Sequence, residues 1–256
     1  MKFIFMVFTL LCCVTASAQV DSNFHLYLLI GQSNMAGRGV VDAESKTVHP
    51  QIFMLDSLNQ WRPATDPMHF DKPIAGVGPG ISFAKNILGD DKEIKIGLIP
   101  GAWGGSPIKV WETGATYLNA HPYDDAIART KIAMQKGVLK GILWHQGESD
   151  NDSVNAPLYL SKLKVLINRL RTDLQNPGLP FIAGEIGHFN KTDFINAVIN
   201  QLPATVLNTA VVTAKNLSDK GDQLHFDAIA ARELGKRYAI AMQQLQSNAA
   251  LKYLKK

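Results

Sequence analysis

Short apolar runs alternate with amphipathic stretches along most of the chain, and this alternation constrains the fold more than any other feature. The apolar runs predict β-strands at residues 25–30, 94–99, 141–144, 180–183 and 207–213. Apolar side chains at spacings of three and four predict helices over residues 159–174 and 231–245, and a weaker pattern covers residues 123–136. Strands that alternate with helices form a mostly parallel sheet covered on both faces. We therefore predict an α/β three-layer sandwich.

The start of the chain has the pattern of a secretory signal peptide. Lys2 precedes an apolar run over residues 3–14, and a small-x-small pattern ends at Ala18, as signal peptidase requires. We predict a signal peptide at residues 1–18, with cleavage after Ala18, and a single domain over residues 19–256. The apolar run is shorter than the roughly 20 residues that span a bilayer. The processed protein is expected to be secreted or periplasmic and to have no membrane partner.

Charge gives no sign of a nucleic-acid partner. The formal net charge is +4, and the basic residues are scattered except for a few lysines in the C-terminal tail. A nucleic-acid-binding protein would show a basic stripe or a recognisable motif. With 46% hydrophobic and 19% charged residues, the composition is that of an ordinary globular domain. We therefore expect no nucleic-acid partner.

Polar, glycine-rich segments follow several of the predicted strands. They read GQSNMAG at 31–37, PGAWGGS at 100–106 and HQGESD at 145–150, and a fourth segment, GDQLHFD at 221–227, precedes the last predicted helix. In open α/β sheets, ligand sites form beyond the carboxyl ends of the strands. We expect these segments to meet in one functional site.

Ser33 and His225 are the candidate nucleophile and general base. A serine at a tight strand-to-helix turn can expose its hydroxyl, but it is a weak nucleophile without a base. Asp222 lies three residues before His225, a spacing that can bring its carboxylate to Nδ1 and fix the tautomer of the ring. The alternatives are a helix-capping role for Ser33 and a surface position for His225.

An acyl-transfer site also needs hydrogen-bond donors for the developing oxyanion. Candidates are the backbone N–H of Ser33, the backbone N–H of Gly105 and the side-chain amide of Gln146. Gly105 could instead belong to a tight loop, and Gln146 could be a buried hydrogen-bonding amide. The chain lacks the Gly-x-Ser-x-Gly elbow of typical α/β-hydrolases.

No cofactor or metal is expected. His145 and Glu148 have an H-x-x-E spacing, but a catalytic zinc site normally has three protein ligands. Spacing suggests no third ligand.

The four segments together resemble an SGNH (GDSL-type) hydrolase, and more narrowly the acetylesterases of carbohydrate esterase family six and the sialate O-acetylesterase domain. The matching text is IGQSNMAGRG, IPGAWGGSPIKVW, WHQGESD and DQLHFD, which together extend over nearly the whole chain after residue 18. The resemblance implies the flavodoxin-like SGNH fold. It also implies Ser33 as nucleophile, His225 as base, Asp222 as its orienting acid, and the oxyanion donors named above. In some relatives the acid equivalent to Glu148 serves the histidine, so Glu148 is the alternative to Asp222.

The predicted function is that of a secreted serine esterase that removes acetyl groups from carbohydrate, such as acetylxylan, through an acetyl-enzyme. One alternative is a sialate O-acetylesterase, which a positive Arg38 near the serine would favour. Another is a non-catalytic carbohydrate-binding protein on an esterase fold. Trp103, Trp111 or Trp144 could stack on a sugar, although core packing is the simpler expectation for Trp144. The oligomeric state is left open.

Overall fold

The computed structural model describes residues 19–189 and 194–254, with side chains described as far as residue 248. The predicted signal peptide at residues 1–18 lies outside these residues. A seven-stranded sheet with strand order β3-β2-β4-β1-β5-β6-β7 forms the centre of the structure. Its strands are β1 (Asp21–Gly31), β2 (Ile52–Leu55), β3 (Trp61–Pro63), β4 (Lys95–Pro100), β5 (Gly137–His145), β6 (Phe181–Gly184) and β7 (Thr209–Val212).

Helices cover both faces of the sheet. They are α1 (Ser33–Ala36), α2 (Gly80–Leu88), α3 (Pro122–Met134), α4 (Ala156–Asp173), α5 (Ile195–Ile199), α6 (Leu202–Thr205) and α7 (Ala228–Leu254). Short 3₁₀ turns at Glu44–Lys46, Ile108–Trp111 and Glu148–Asp150 interrupt the loops. Within the described residues, no helix is both long enough and apolar enough to cross a membrane.

Strand β1 is the centre of the core, and its side chains divide between the two faces. Leu26, Leu28 and Ile30 belong to the cluster that packs under α3 and α4. Tyr27 and Leu29 belong to the cluster under α2 and α7. The division follows from the two-residue period of a strand. Each fully buried aliphatic side chain of this kind contributes about 1.5–3 kcal/mol, which explains why this run is apolar on both faces.

The prediction of an α/β sandwich with a mostly parallel sheet is confirmed. The pairings of β1 with β4 and β5 are parallel, as are those of β5 with β6 and β6 with β7. The sequence missed β2 and β3, which form an antiparallel pair at one edge. Without that edge pair, the remaining strands have the flavodoxin-like order 2-1-3-4-5.

This topology places the switch point at β1. The chain leaves β1 toward β2 and β4 on one side and later returns to β5 on the other. A crevice forms at the carboxyl end of the strand where the order reverses. The segment that begins at Gly31 lies at that point.

Candidate active site

Ser33 stands at the first position of helix α1, directly after β1. Gly31 has a φ of +128°, and a Cβ there would lie 2.1 Å from the His145 carbonyl oxygen, so only glycine allows this close turn. The Gln32 N–H donates to the same carbonyl at 2.8 Å. As the first helical residue, Ser33 has a backbone N–H with no acceptor inside the helix. The turn thus offers both a hydroxyl and a free backbone donor at the sheet edge.

His225 and Asp222 reach Ser33 from the loop before α7. His225 Nε2 lies 3.1 Å from Ser33 Oγ, and Nδ1 lies 2.7 Å from Asp222 Oδ2. The other carboxylate oxygen, Oδ1, accepts the N–H groups of Leu224 and His225 at 3.0 and 2.8 Å. Partial burial raises the pKa of Asp222, but these hydrogen bonds, above all that of the His225 ring, hold it well below its usual range. Asp222 is therefore an anion that accepts hydrogen from Nδ1 and leaves Nε2 facing the serine.

A second aspartate shapes this loop. The Asp219 carboxylate accepts the N–H groups of Gly221 and Gln223 at 3.0 and 2.6 Å. Gln223 has a φ of +56°, a conformation that is uncommon outside glycine. Asp219 therefore stabilises the turn that presents Asp222 and His225 without touching the histidine ring.

The predicted oxyanion donors have different surroundings. Gly105 is exposed with a φ of +82°, and no carbonyl in the described part of the chain accepts its backbone N–H. Gln146 is fully buried, and its amide nitrogen donates to Asp150 Oδ2 at 2.6 Å. The same nitrogen lies 3.1 Å from Gln32 Oε1 and 3.2 Å from the Ser106 carbonyl. The free Gly105 N–H fits the predicted role, whereas the Gln146 amide is engaged by internal acceptors.

Asn34, which no sequence pattern singles out, connects the loops around the serine. Its Oδ1 accepts the Phe226 N–H at 3.1 Å, and its Nδ2 donates to the Leu224 carbonyl at 3.1 Å and to Glu148 Oε1 at 2.6 Å. It therefore holds the backbone on both sides of His225. Its position next to Ser33 was a signal, but a single asparagine in a polar loop is equally typical of an ordinary turn.

Glu148, the alternative acid, has no hydrogen bond to His225 among the described contacts. Its side chain is buried, with Oε1 3.9 Å from His145 Nε2 and Oε2 without a partner within the described residues. Burial raises the pKa of Glu148 to about 7, outweighing the hydrogen bond of Asn34, which lowers it. The structure thus places Asp222, and not Glu148, against the His225 ring.

His145 is buried as a neutral ring beneath the site. Burial lowers its pKa to about 3. Tyr238 donates its hydroxyl hydrogen to the Trp144 carbonyl at 2.7 Å, so it must accept the hydrogen of His145 Nδ1 at 3.1 Å. This assignment leaves His145 Nε2 as an acceptor that faces Glu148.

Arg38 does not extend into solvent. Its side chain is 1% exposed and forms a 2.6 Å ion pair with Asp71 Oδ2, an oxygen that also accepts the Gly104 N–H at 2.9 Å. The pair thereby fixes the loop that presents Gly105. Of the tryptophans that could stack on a sugar, Trp111 and Trp144 lie in the core with their rings 5.1 Å apart, while Trp103 is partly exposed in the loop.

Comparison with known proteins finds relatives over most of the chain. A family model described as carbohydrate esterase, sialic acid-specific acetylesterase, matches residues 23–244. A probable carbohydrate esterase of Arabidopsis thaliana is 36% identical over 233 residues, which make up 82% of this chain and 86% of the plant protein.

Solved structures have the same fold. The X-ray structure of an Arabidopsis thaliana protein matches with a TM-score of 0.78 at 33% identity, covering 88% of this chain and 99% of that one. The crystal structure of NanS matches with a TM-score of 0.72, covering 90% of this chain and all of the other, at 17% identity. At that identity, the likeness to NanS is one of fold.

Proposed function

The chain belongs to the family of carbohydrate esterases described as sialic acid-specific acetylesterases, and from this premise we propose that it is a serine esterase acting through an acetyl-enzyme. Family membership makes it a carboxylic ester hydrolase of the carbohydrate acetylesterase kind, with acetylated carbohydrate as its substrate class. The observation that carries the proposal is the hydrogen-bonded series from Asp222 through His225 to Ser33, with separations of 2.7 and 3.1 Å.

In the first step, His225 Nε2 accepts the hydroxyl proton as Ser33 Oγ bonds to the acetyl carbon. Asp222, held as an anion, stabilises the imidazolium that forms. The bond to the sugar oxygen then breaks, and that oxygen leaves with the proton from His225. In the second step, His225 takes a proton from water as the water oxygen bonds to the acetyl carbon. The bond between that carbon and Ser33 Oγ then breaks, acetate leaves, and His225 returns the proton to Ser33.

The negative charge on the carbonyl oxygen needs donors in both steps. We assign the backbone N–H groups of Ser33 and Gly105 to this role, because neither has an acceptor among the described backbone contacts. Losing one such donor typically costs about 2.7–4 kcal/mol of transition-state stabilisation. Gln146 as a third donor stays a prediction, since one hydrogen of its amide would have to turn from its internal acceptors to the ester oxygen.

Two substrates remain candidates. The family description favours an O-acetylated sialic acid. Arg38, the cation that would have favoured an anionic sugar, is buried and neutralised by Asp71, and this favours a neutral polysaccharide such as acetylated xylan. Acetate release from acetylated xylan and from O-acetylated sialic acid, compared at equal enzyme concentration, decides between them.

The mechanism is tested by acetate release from 4-nitrophenyl acetate and acetylated xylan. Ser33→Ala and His225→Ala should each lower kcat by roughly 10⁴-fold or more. Ser161→Ala and His121→Ala, which change exposed residues, are the matched controls and should retain wild-type rates. A folded Ser33→Ala protein with wild-type activity would overturn the proposal.

We also propose that the protein is exported and cleaved after Ala18. Support comes from the charged start, apolar run and small-x-small pattern of residues 1–18. Mass spectrometry of the protein recovered outside the cytoplasm should find Gln19 at the N-terminus. Recovery of the protein with Met1 intact would contradict export by this route.

A further inference from the structure

A cavity of about 300 Å³ opens beside the loop that carries Gly105. Resting on the proposed function, we infer that this cavity is a subsite for a neutral sugar unit of the glycan chain, next to the unit that carries the acetyl group. Its volume is at the lower end of ligand pockets, which suits one small unit. The residues that carry the argument are Asn59, His69, Phe70, Asp71, Trp103 and Arg129.

The cavity adjoins the catalytic loops through shared residues. Residues 100–103 form part of its wall, and Gly105 follows Trp103 by two residues, a reach of at most about 7 Å. Asp71 lines the cavity, and its Oδ2 accepts the Gly104 N–H at 2.9 Å. A glycan whose acetyl carbonyl reaches Gly105 can therefore place a neighbouring unit beside this wall.

The positive charges near the cavity are already engaged by the protein. Arg129 donates from Nε to the Pro100 carbonyl at 3.1 Å, from Nη1 to Asn59 Oδ1 at 2.8 Å and from Nη2 to the Leu55 carbonyl at 2.8 Å. Arg38 is paired with Asp71. The wall thus lacks the open guanidinium fork that recognises a carboxylate.

The charges in the wall balance. Asp71 is paired with Arg38, and Asp125 lines the cavity together with Arg129. The wall therefore has no excess of positive charge to attract a sugar that carries a carboxylate, and a neutral sugar needs none.

Two unpaired polar atoms of the wall residues are buried acceptors. Within the described residues, His69 Nε2 and Asp71 Oδ1 are buried without a hydrogen-bond partner, and their side chains are almost fully buried. Burial lowers the pKa of His69 to about 4, so the ring is neutral near pH 7. The Leu29 carbonyl accepts the one N–H of the ring, which leaves Nε2 as an acceptor. Neither atom supplies a donor that would pair with a carboxylate.

Aromatic surface completes the wall. The Trp103 ring is partly exposed and the Phe70 ring is 45% exposed, with the Arg129 guanidinium 4.7 Å from the Phe70 centroid. Apolar faces beside a few fixed polar atoms are the usual composition of a small-molecule site. A pyranose, with C–H faces and a rim of hydroxyls, matches this composition.

The test fills the cavity from a helix that carries none of the proposed catalytic groups. Ala128 is exposed on α3 and lines the cavity, so Ala128→Trp should occupy it without unfolding the chain. The matched control is Ala204→Trp, at an exposed position in α6 near the opposite edge of the sheet. For each protein we would measure kcat/KM on acetylated xylotriose and on 4-nitrophenyl acetate, which is too small to reach the subsite, and take their ratio.

We expect this ratio to fall at least about tenfold in Ala128→Trp, a loss of about 1.4 kcal/mol, and to stay unchanged in Ala204→Trp. An unchanged ratio in Ala128→Trp overturns the subsite while leaving the esterase proposal intact. The neutral-sugar assignment is overturned if the wild type turns over an O-acetylated sialic acid as well as or better than acetylated xylotriose, and if Ala128→Trp lowers both rates equally.

A calorimetric titration with non-acetylated xylotriose separates the subsite from the chemistry, because no ester is present. Binding to the wild type should weaken at least about tenfold in Ala128→Trp and not in Ala204→Trp. Equal binding by all three proteins contradicts the subsite even if the enzyme is active. If the wild type is inactive on both esters but still binds xylotriose, and Ala128→Trp weakens that binding, only the esterase proposal is contradicted.

Discussion

Two histidine–carboxylate pairs lie at the same edge of the sheet, with the same spacing along the chain and opposite surroundings. His225 and Asp222 are partly exposed, with side chains 16% and 37% accessible, and their ring nitrogen and carboxylate are 2.7 Å apart. His145 and Glu148 are buried, and their closest atoms are 3.9 Å apart. The first pair holds an anion. In the second, burial favours the neutral form of both partners.

The difference shows that the H-x-x-acid or acid-x-x-H spacing alone does not identify a catalytic pair. A carboxylate stabilises an imidazolium only if it is ionised at working pH, and that needs water or hydrogen bonds in place of apolar surroundings. Asp222 has these bonds from its own loop. Glu148 has the Asn34 amide but is surrounded by the protein interior.

Neutralising the exposed pair should have the greatest consequence for activity. Asp222→Asn keeps the shape of the side chain but favours the wrong ring tautomer of His225. We expect kcat on 4-nitrophenyl acetate to fall by roughly 10³- to 10⁴-fold, as in comparable triads. Asp219→Asn is the matched control, because Asp219 braces the same loop without contacting the ring, and it should cost less than about tenfold. Equal losses of kcat in the two variants would show that Asp222 only braces the loop, as Asp219 does.

The next largest effect is a pH-dependent change in the protein's free energy of unfolding, and it comes from the buried pair. The folded-state pKa of Glu148 is raised from 4.5 to about 7, so the folded protein retains a proton that the unfolded chain has released. The wild type should therefore lose stability as the pH rises from about 4.5 to about 7. Relative to the wild type, Glu148→Gln should gain about 2–3 kcal/mol in unfolding free energy between pH 5 and pH 8.

Urea unfolding at the two pH values measures this gain, and Asp152→Asn is its control. Hydrogen bonds from Asn155 and Val154 hold the pKa of Asp152 below its ordinary value of 3.8 in the folded state, so this carboxylate is ionised in both states over this range. The stability difference between Asp152→Asn and the wild type should not change with pH. If the difference in unfolding free energy between Glu148→Gln and the wild type did not change with pH, Glu148 would be charged in the folded protein.

Asn34 joins the two pairs, and its removal tests whether they communicate. Asn34→Ala leaves the Phe226 N–H, the Leu224 carbonyl and Glu148 without their shared partner. Loosening the backbone around His225 should lower kcat by about ten- to a hundredfold. The KM for 4-nitrophenyl acetate should stay near the wild-type value. Asn86→Ala, at an exposed position in α2, is the control, and an unchanged kcat in Asn34→Ala would show that the histidine loop is held without this bridge.

The weakest response is expected for the activity of Glu148→Gln. If Asp222 is the acid that serves His225, this variant should lose less than about one order of magnitude in kcat near neutral pH. If Glu148 serves it, the loss should approach that of Asp222→Asn. The two variants assayed together thus decide between the two acids that the sequence left open.

Much of the fold could be predicted from the sequence, because the central strands are buried on both faces and read as continuous apolar runs. The edge pair of β2 and β3 was missed. Each is four residues or shorter, and Phe53 and Met54 are only partly buried, so neither run has a strong pattern.

For the site, the local pattern Asp222-x-x-His225 was informative because both partners lie in one short loop. The Arg38–Asp71 pair and the Asn34 bridge join segments far apart in sequence, and no spacing rule predicts such partners. The sequence also left open whether Gln146 is an oxyanion donor or a buried hydrogen-bonding amide, because that depends on the acceptors packed around it.

The bond between Ser33 and His225 joins residues 192 positions apart, from the first strand to the loop before the last helix. At a synthesis rate of about 5–20 residues per second, roughly 10–40 s separate the emergence of the two groups. In the proposed mechanism, the nascent chain carries over that interval a serine with no base, which is an ordinary alcohol and a weak nucleophile. The proposal therefore implies that esterase activity arises only when synthesis is nearly complete, and that a product ending before residue 225 lacks it.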